Sequence, residues 1–433
     1  MWFGPVQADD VRAQVCQQHR AHGPWPDSAE LDDAHTPEGS FVHHGAALVA
    51  MCFESLIDKE RCVNECPVIR SKMPSIHSKS FIDWAADRHR ASLLEGKVMG
   101  SGIVERIVEH GWRGVNTGGK HSGLLNAMYT AGLRAGFEQR VQEVLAGPVI
   151  THPNLADSSS RMRPLVLAGK VAEARAANEV FQRERVVSGG VTQHTTARST
   201  HGWVFADTAY MVPPSQAILG NWELAVADLK GFHRILAQPD GLMRHVFNAS
   251  VPLEESYVDI DLWIDGTAWG RASGWWMAGV VDTLEVIPQE HWDAELVAMY
   301  EKTSARLVEC QDQGIWHATI DDPFSLIDTS ATVMIGYAMA KGAQIGVGAE
   351  PQVQASYLAL EAVLRHHFDW RAAVLRNQQY GPMIVNVPSP NPRYHDHGNA
   401  YGQGFLAALY ALNADGVKVR DLGVRSLRAD GRA

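Results

Sequence analysis

Three stretches of this sequence are nearly apolar around the whole circumference of a helix: Ser273 to Val286, Ser330 to Ala340 and Gly404 to Leu412. A helix without a polar face has no side to turn toward water, so each must be enclosed by other elements. Between them run segments of the opposite kind. Trp222, Ala225, Leu229, Phe232 and Leu236 step by three and four residues, which lines one helix face. Val171 to Arg185 is rich in Ala, Glu and Arg and reads as an exposed helix. Gln352 to Phe368 repeats the one-sided pattern, with Leu358, Leu360, Val363 and Leu364 expected inside. Strand-like alternation is scarce.

The buried type recurs near residues 203, 269, 328 and 400, at intervals of 59 to 72 residues. That interval accommodates one helical hairpin plus a loop, and 433 residues hold six to seven of them. No short sequence repeat is visible. The fold expected is all-α: an inner ring of helices wrapped by an outer ring, an (α/α)6 barrel, with a helical solenoid as the alternative. Residues 1–40 are polar and irregular and read as an arm; residues 41–433 are assigned to a single barrel.

Composition narrows the function. A formal net charge of −11 disfavours nucleic acid and anionic membrane surfaces as partners. The five cysteines are odd in number and Cys62 and Cys66 lack a matching pair, so neither a disulfide framework nor a zinc ribbon is expected. No metal or other cofactor is expected: His43-His44 and His395-Asp396-His397 set adjacent side chains that do not converge easily on one ion. The N-terminus carries no basic segment followed by an apolar one, and no run approaches a membrane span, so a cytoplasmic location is expected. A homo-oligomer stays open. Thirteen tryptophans lean toward stacking on sugars, although Trp is also a large core residue.

The polar signals gather where the buried helices begin. Asp207 follows His201-Gly202-Trp203-Val204-Phe205-Ala206 as the one acid in an aromatic and aliphatic run. A carboxyl in such surroundings resists ionisation and can hold a proton to donate; its competing role is a helix cap. Arg271 sits in Trp269-Gly270-Arg271, Asp328 precedes Thr329-Ser330, and His397 precedes Tyr401-Gly402-Gln403-Gly404. In a closed ring these helix starts share one rim, where N-terminal partial charges favour an anion. A Trp-lined cup with one arginine suits an acidic sugar.

These motifs resemble glycoside hydrolase families 88 and 105, the unsaturated glucuronyl and unsaturated rhamnogalacturonyl hydrolases. Phe205-Ala206-Asp207-Thr208-Ala209-Tyr210-Met211 with Pro213-Pro214 looks like their catalytic-Asp motif. Trp269-Gly270-Arg271-Ala272-Ser273-Gly274-Trp275-Trp276, running on through Val281-Asp282-Thr283-Leu284-Glu285, looks like their central motif. Gly314-Ile315-Trp316-His317, the segment from Thr329 to Gly342, and Tyr401-Gly402-Gln403-Gly404 come next in family order, so that the matches span about residues 150 to 415.

The resemblance implies the (α/α)6 barrel, a hydrolase without a metal, and an oligosaccharide whose non-reducing uronic acid carries a C4=C5 double bond. It implies that Asp207 protonates C4 and helps water add at C5. Arg271 matches the arginine associated with the sugar carboxylate. His245 falls at a site histidine, although Asn248 stands where the family commonly has Asp. His194 matches a second histidine. Asp157 is the candidate for a second acid, in a departing local sequence where a capping role weighs equally. Trp269, Trp275, Trp316 and His397 complete the expected sugar-binding set. Two other readings remain: a sugar 2-epimerase on the same fold, using His245 and His397 for proton exchange, and a non-catalytic sugar-binding protein.

Overall fold

A computed structural model describes residues 102–113, 121–146, 155–250, 263–379, 394–395 and 400–420. The expected N-terminal arm therefore lies outside the described residues. In chain order the helices are α1 (Ile103–Arg113), α2 (His121–Thr130), α3 (Arg134–Ala146), the broken pair α4 (Leu155–Ser159) and α5 (Met162–Leu167), and α6 (Val171–Glu184). Then come a second broken pair, α7 (Thr208–Met211) and α8 (Pro213–Ile218), and after it α9 (Trp222–Leu236), α10 (Gly270–Leu284), α11 (Ala294–Glu309), α12 (Thr329–Ile345), α13 (Glu350–His366) and α14 (Ala400–Arg420).

The described helices close a ring. Its inner members pack in the circular order α2, α5, α8, α10, α12, α14 and back to α2. The amphipathic helices α3, α6, α9, α11, α13 and α1 lie against them as the outer layer. This is the (α/α)6 barrel. Periodicity explains which helix goes where: every residue of α10 is buried, whereas α9 buries Ala225, Leu229, Phe232 and Leu236 along one face. One expectation fails in detail. Leu358 of α13 is 36% exposed, because it falls beside the stripe formed by Ala355, Ala359, Leu360 and Val363.

Close approach needs small residues. A Cβ at Gly279 of α10 would come 2.1 Å from the Ala209 carbonyl oxygen of α7, so this glycine lets the two inner helices touch backbone to backbone. Capping fixes the start of α12. Asp328 accepts from the Ser330 amide at 3.0 Å, and Gly346 ends the helix at φ +96°, a left-handed turn suited to glycine.

The segment near residue 203 is not the start of a long buried helix. Trp203–Phe205 forms β3, and Pro213 and Pro214 divide the next stretch into α7 and α8. After the short hairpin β1 (Val187–Ser188) and β2 (Val191–Thr192), β3 joins β4 (Arg244–Asn248) and β5 (Trp263–Ala268) in an antiparallel sheet of order β3-β4-β5. Phe205 pairs with Val246 and Val246 with Asp265, with irregular register along β4 and β5. The sheet ties together the chain that leads into α7 and α10. Two further pairs of two-residue strands lie near the last inner helices: β6 (Phe368–Asp369) pairs with β7 (Val374–Leu375), and β8 (Gln378–Gln379) with β9 (Tyr394–His395).

Candidate active site

Asp207 lies immediately before α7, already helical in backbone at φ −55° and ψ −33°, and its side chain makes no capping hydrogen bond. The capping role is thereby set aside. The side chain is 18% exposed, yet its Oδ2 is enclosed and has no hydrogen-bond partner. Opposite it, at 3.8 Å, lies His245 Nε2, which also lacks a partner. Sheet pairing sets this distance, since the Ala206 amide donates to the His245 carbonyl at 3.1 Å.

The His245 ring is fully buried and held on all sides. Its Nδ1 lies 3.0 Å from Asp265 Oδ2, and the other Asp265 oxygen accepts the Thr267 amide at 3.1 Å. Trp269 packs on it with ring centroids 4.0 Å apart, and Phe205 stands edge-on at 6.1 Å. Asp265, which no motif in the sequence marks, is brought against His245. Nothing in Trp263-Ile264-Asp265-Gly266-Thr267-Ala268 marks it beyond being a lone acid in a strand, and only the strand pairing carries it to a histidine 20 positions away.

His194 and Asp157 join the same group. His194 Nδ1 shares a hydrogen bond of 3.1 Å with the Thr208 hydroxyl, next to Asp207, and its Nε2 faces Asp157 Oδ1 at 3.9 Å. Phe205 packs against the His194 ring at 5.7 Å, so it contacts both histidines.

Arg271 is buried at 1% exposure. Its Nη1 donates to the Gln379 carbonyl at 2.7 Å and to the Ser330 hydroxyl at 3.3 Å, and lies 3.8 Å from Asp328 Oδ2. The guanidinium carbon stands 4.5 Å from the Trp269 ring centroid and 5.4 Å from that of Tyr401. Trp269 donates its indole N–H to Gln379 Oε1 at 2.7 Å. A continuous run of contacts therefore leads from Arg271 through Trp269 and His245 to Asp207.

The structure places Trp275 and Trp316 outside this run. Trp275 lies one turn deeper on α10, packed among Tyr210, Tyr401 and Phe405. Trp316 is fully enclosed and donates its N–H to the Leu307 carbonyl of outer helix α11 at 2.8 Å, which makes it a packing residue instead of a sugar platform. His397 lies outside the described residues.

A charged cluster fills the opposite end of the inner helices. Arg163 of α5 pairs with Asp282 of α10 at 3.0 Å and with Glu285 at 2.9 Å. Tyr337 of α12 donates to Asp282 at 2.5 Å, Lys341 pairs with Glu285, and Asn126 of α2 donates to the Tyr210 hydroxyl at 2.8 Å. Burial raises the pKa of the Tyr210 hydroxyl, with the Asp282 charge adding to it, so the phenol stays protonated.

The model of Glycosyl Hydrolase Family 88 matches residues 170–409, more than half of the chain. The chain belongs to this family. Among solved structures, a protein described as a possible member of the GH105 family from Salmonella enterica is 19% identical, with 73% of this chain and 94% of that one covered at a TM-score of 0.60. A similarly described protein from Klebsiella pneumoniae is 16% identical, with 81% and 97% covered at 0.61. The unsaturated glucuronyl hydrolase of Bacillus sp. GL1 is 17% identical, with 69% and 86% covered at 0.50. At these identities the likeness shows the fold. The curated relatives match over shorter pieces. The unsaturated rhamnogalacturonyl hydrolase YesR of Bacillus subtilis is 32% identical over 85 residues, 19% of this chain and 24% of that protein. A 24.9 kDa protein in the picA locus of Rhizobium radiobacter is 31% identical over 104 residues, 22% of this chain and 45% of that protein. The chain thus spans less than half the length of the curated relatives it matches.

Proposed function

We propose that this family 88 protein hydrolyses oligosaccharides that end in a 4,5-unsaturated uronic acid, the kind of chain end that polysaccharide lyases leave. One observation carries the reading: the enclosed Asp207 Oδ2, without a hydrogen-bond partner, beside an equally unpartnered His245 Nε2. A carboxyl oxygen without a hydrogen-bond partner inside the fold is left able to exchange a proton with a bound substrate.

In this reading Asp207 donates its proton to C4 of the vinyl ether, and positive charge develops at C5 and the ring oxygen. Water adds at C5, and the Asp207 carboxylate takes up the proton that the water releases. The hemiketal so formed opens and frees the next sugar, with one water consumed and Asp207 restored. Two carboxylates displacing at the anomeric carbon are not required. Arg271, stacked on Trp269 at the head of α10, supplies positive charge near the uronate carboxylate. Asp157 and His194 border the same space and contact the substrate. The names of the Bacillus relatives, an unsaturated glucuronyl and an unsaturated rhamnogalacturonyl hydrolase, support this substrate class.

The test monitors the absorbance of the conjugated double bond over a panel of lyase-derived disaccharides. The protein is expected to bleach at least one of them. Asp207→Asn keeps the shape of the side chain without a transferable proton and is expected to lose about a hundredfold to ten-thousandfold in kcat. A folded Asp207→Asn protein with unreduced turnover removes Asp207 from the mechanism.

A further inference from the structure

We propose that Asp265 is a positioning residue that acts on Asp207 through His245: by accepting the hydrogen of Nδ1 it leaves the Nε2 lone pair facing the Asp207 carboxyl. The inference rests on the reading of Asp207 as proton donor and extends it to how the donor is kept loaded.

Asp265 decides where the ring hydrogen sits. An ionised carboxylate only accepts hydrogen bonds. Asp265 Oδ2 lies 3.0 Å from Nδ1, so Nδ1 carries a hydrogen. The ring is completely buried between Trp269 and Phe205, and a neutral imidazole avoids the cost of enclosing a full charge there. A neutral ring with its hydrogen on Nδ1 has a bare lone pair on Nε2. Nε2 lies 3.8 Å from Asp207 Oδ2, and neither atom has a hydrogen-bond partner. A lone pair and a carboxylate oxygen repel each other. A lone pair and a carboxylic O–H attract. The fixed tautomer therefore favours the protonated form of Asp207, the form that can donate. Among the described residues, the other titratable or charged groups near this pair are Asp157 and His194, beyond Phe205, and Arg271 with Asp328, beyond Trp269.

Asp265→Asn tests this with almost no change of shape. The Thr267 amide donates to Asp265 Oδ1 at 3.1 Å and will hold the oxygen of the new amide on its own side. The NH2 group then faces His245 Nδ1, which must become the acceptor, and the ring hydrogen moves to Nε2. An Nε2–H facing the Asp207 carboxylate across 3.8 Å attracts it and favours the ionised form, which has no proton to give.

The readout is 15N NMR of the full chain labelled at histidine, with the His245 signals assigned by their loss in His245→Gln. Wild type is expected to show a protonated Nδ1 and a bare Nε2 at neutral pH, and Asp265→Asn the reverse. On an unsaturated disaccharide, Asp265→Asn is expected to lower kcat about a hundredfold, the lower range for loss of a general acid, while KM changes less than about threefold. A doubly protonated His245 in wild type, or an Asp265→Asn protein with unchanged tautomer and unchanged kcat, overturns the proposal. The wild-type spectrum decides even where the variant does not fold. Where no disaccharide of the panel is turned over, the substrate reading fails while the two tautomers still decide the role of Asp265.

Discussion

Arg271 stacks on the Trp269 ring at 4.5 Å while its Nη1 donates to the Gln379 carbonyl at 2.7 Å, so the cation at the head of α10 is locked in place before any substrate arrives. A planar guanidinium makes both contacts at once; an ammonium does not. Arg271→Lys is expected to raise KM on an unsaturated disaccharide by about tenfold to a hundredfold, the equivalent of a lost charge-assisted hydrogen bond. Turnover is expected to fall less, since the charge remains. Steady-state kinetics with a melting curve on the same sample provide the check. An unchanged KM in a folded protein would show that the uronate carboxylate is held elsewhere.

Legibility in the sequence differs from element to element. Helices α10 and α12 are legible because a nearly apolar circumference admits only a buried position, and α9 because its stripe is regular. The inner positions filled by α4, α5, α7 and α8 are not, since helices of four to six residues are too short to show a period. Asp207 and Arg271 stand out through motifs, and His194 and His245 by matching family histidines, whereas the sequence around Asp157 departs from the family pattern and leaves a cap as the equal reading. Asp265 is invisible because it meets His245 only through strand pairing with an irregular register. Trp316 departs from expectation for a related reason. A tryptophan in a motif declares its size, but the direction of its N–H, here to Leu307 on the outer layer, is a property of packing.

Gly279 offers a test of the contact that seats α7. A methyl group there would sit 2.1 Å from the Ala209 carbonyl oxygen, a backbone atom that cannot move without shifting α7 and Asp207 with it. Gly279→Ala is expected to destabilise the protein by about 1–3 kcal/mol in spite of alanine's better helix propensity, and to lower kcat in the protein that remains folded. Urea unfolding and steady-state assays measure the two effects. A more stable and fully active Gly279→Ala protein would contradict the close approach of α10 and α7.

His233 links pH to stability. Burial, with Lys302 nearby, lowers its pKa to about 4, while the unfolded chain keeps the ordinary value near 6.5. The folded state therefore binds the proton less well than the unfolded state. The stability contributed is fully present above about pH 6.5 and is lost as the pH falls toward 4, by no more than about 3 kcal/mol. The ring stacks on Trp276 at 4.7 Å, so His233→Phe keeps an aromatic there without a titrating group. Its stability is expected to fall less than that of wild type between pH 7 and pH 4. Urea midpoints at three or four values of pH give the comparison, and parallel curves would exclude His233 as the source.

The ion pair of Arg163 and Asp282 tests whether the charged cluster is structural. Its partners are buried and 3.0 Å apart, and burial raises the pKa of the Asp282 carboxyl while Arg163 opposes the rise. Asp282 stands eleven residues beyond Arg271 on α10, about 16 Å along the helix, so it lies away from the site. Removing one partner leaves the other charge enclosed and uncompensated. Arg163→Met is expected to cost about 3–5 kcal/mol, because Asp282 loses its cation and must either stay charged in an apolar site or take a proton. Replacing the acid as well relieves that strain. The double variant Arg163→Met with Asp282→Asn is expected to be more stable than Arg163→Met alone, with Tyr337 still able to donate to the amide oxygen. Denaturant unfolding of wild type, both single variants and the double variant closes the cycle, while kcat per folded molecule is expected to stay near that of wild type in all four. Purely additive costs would show that Arg163 and Asp282 do not depend on each other, and a loss of kcat in the folded double variant would tie the cluster to the chemistry at the other end of the inner helices.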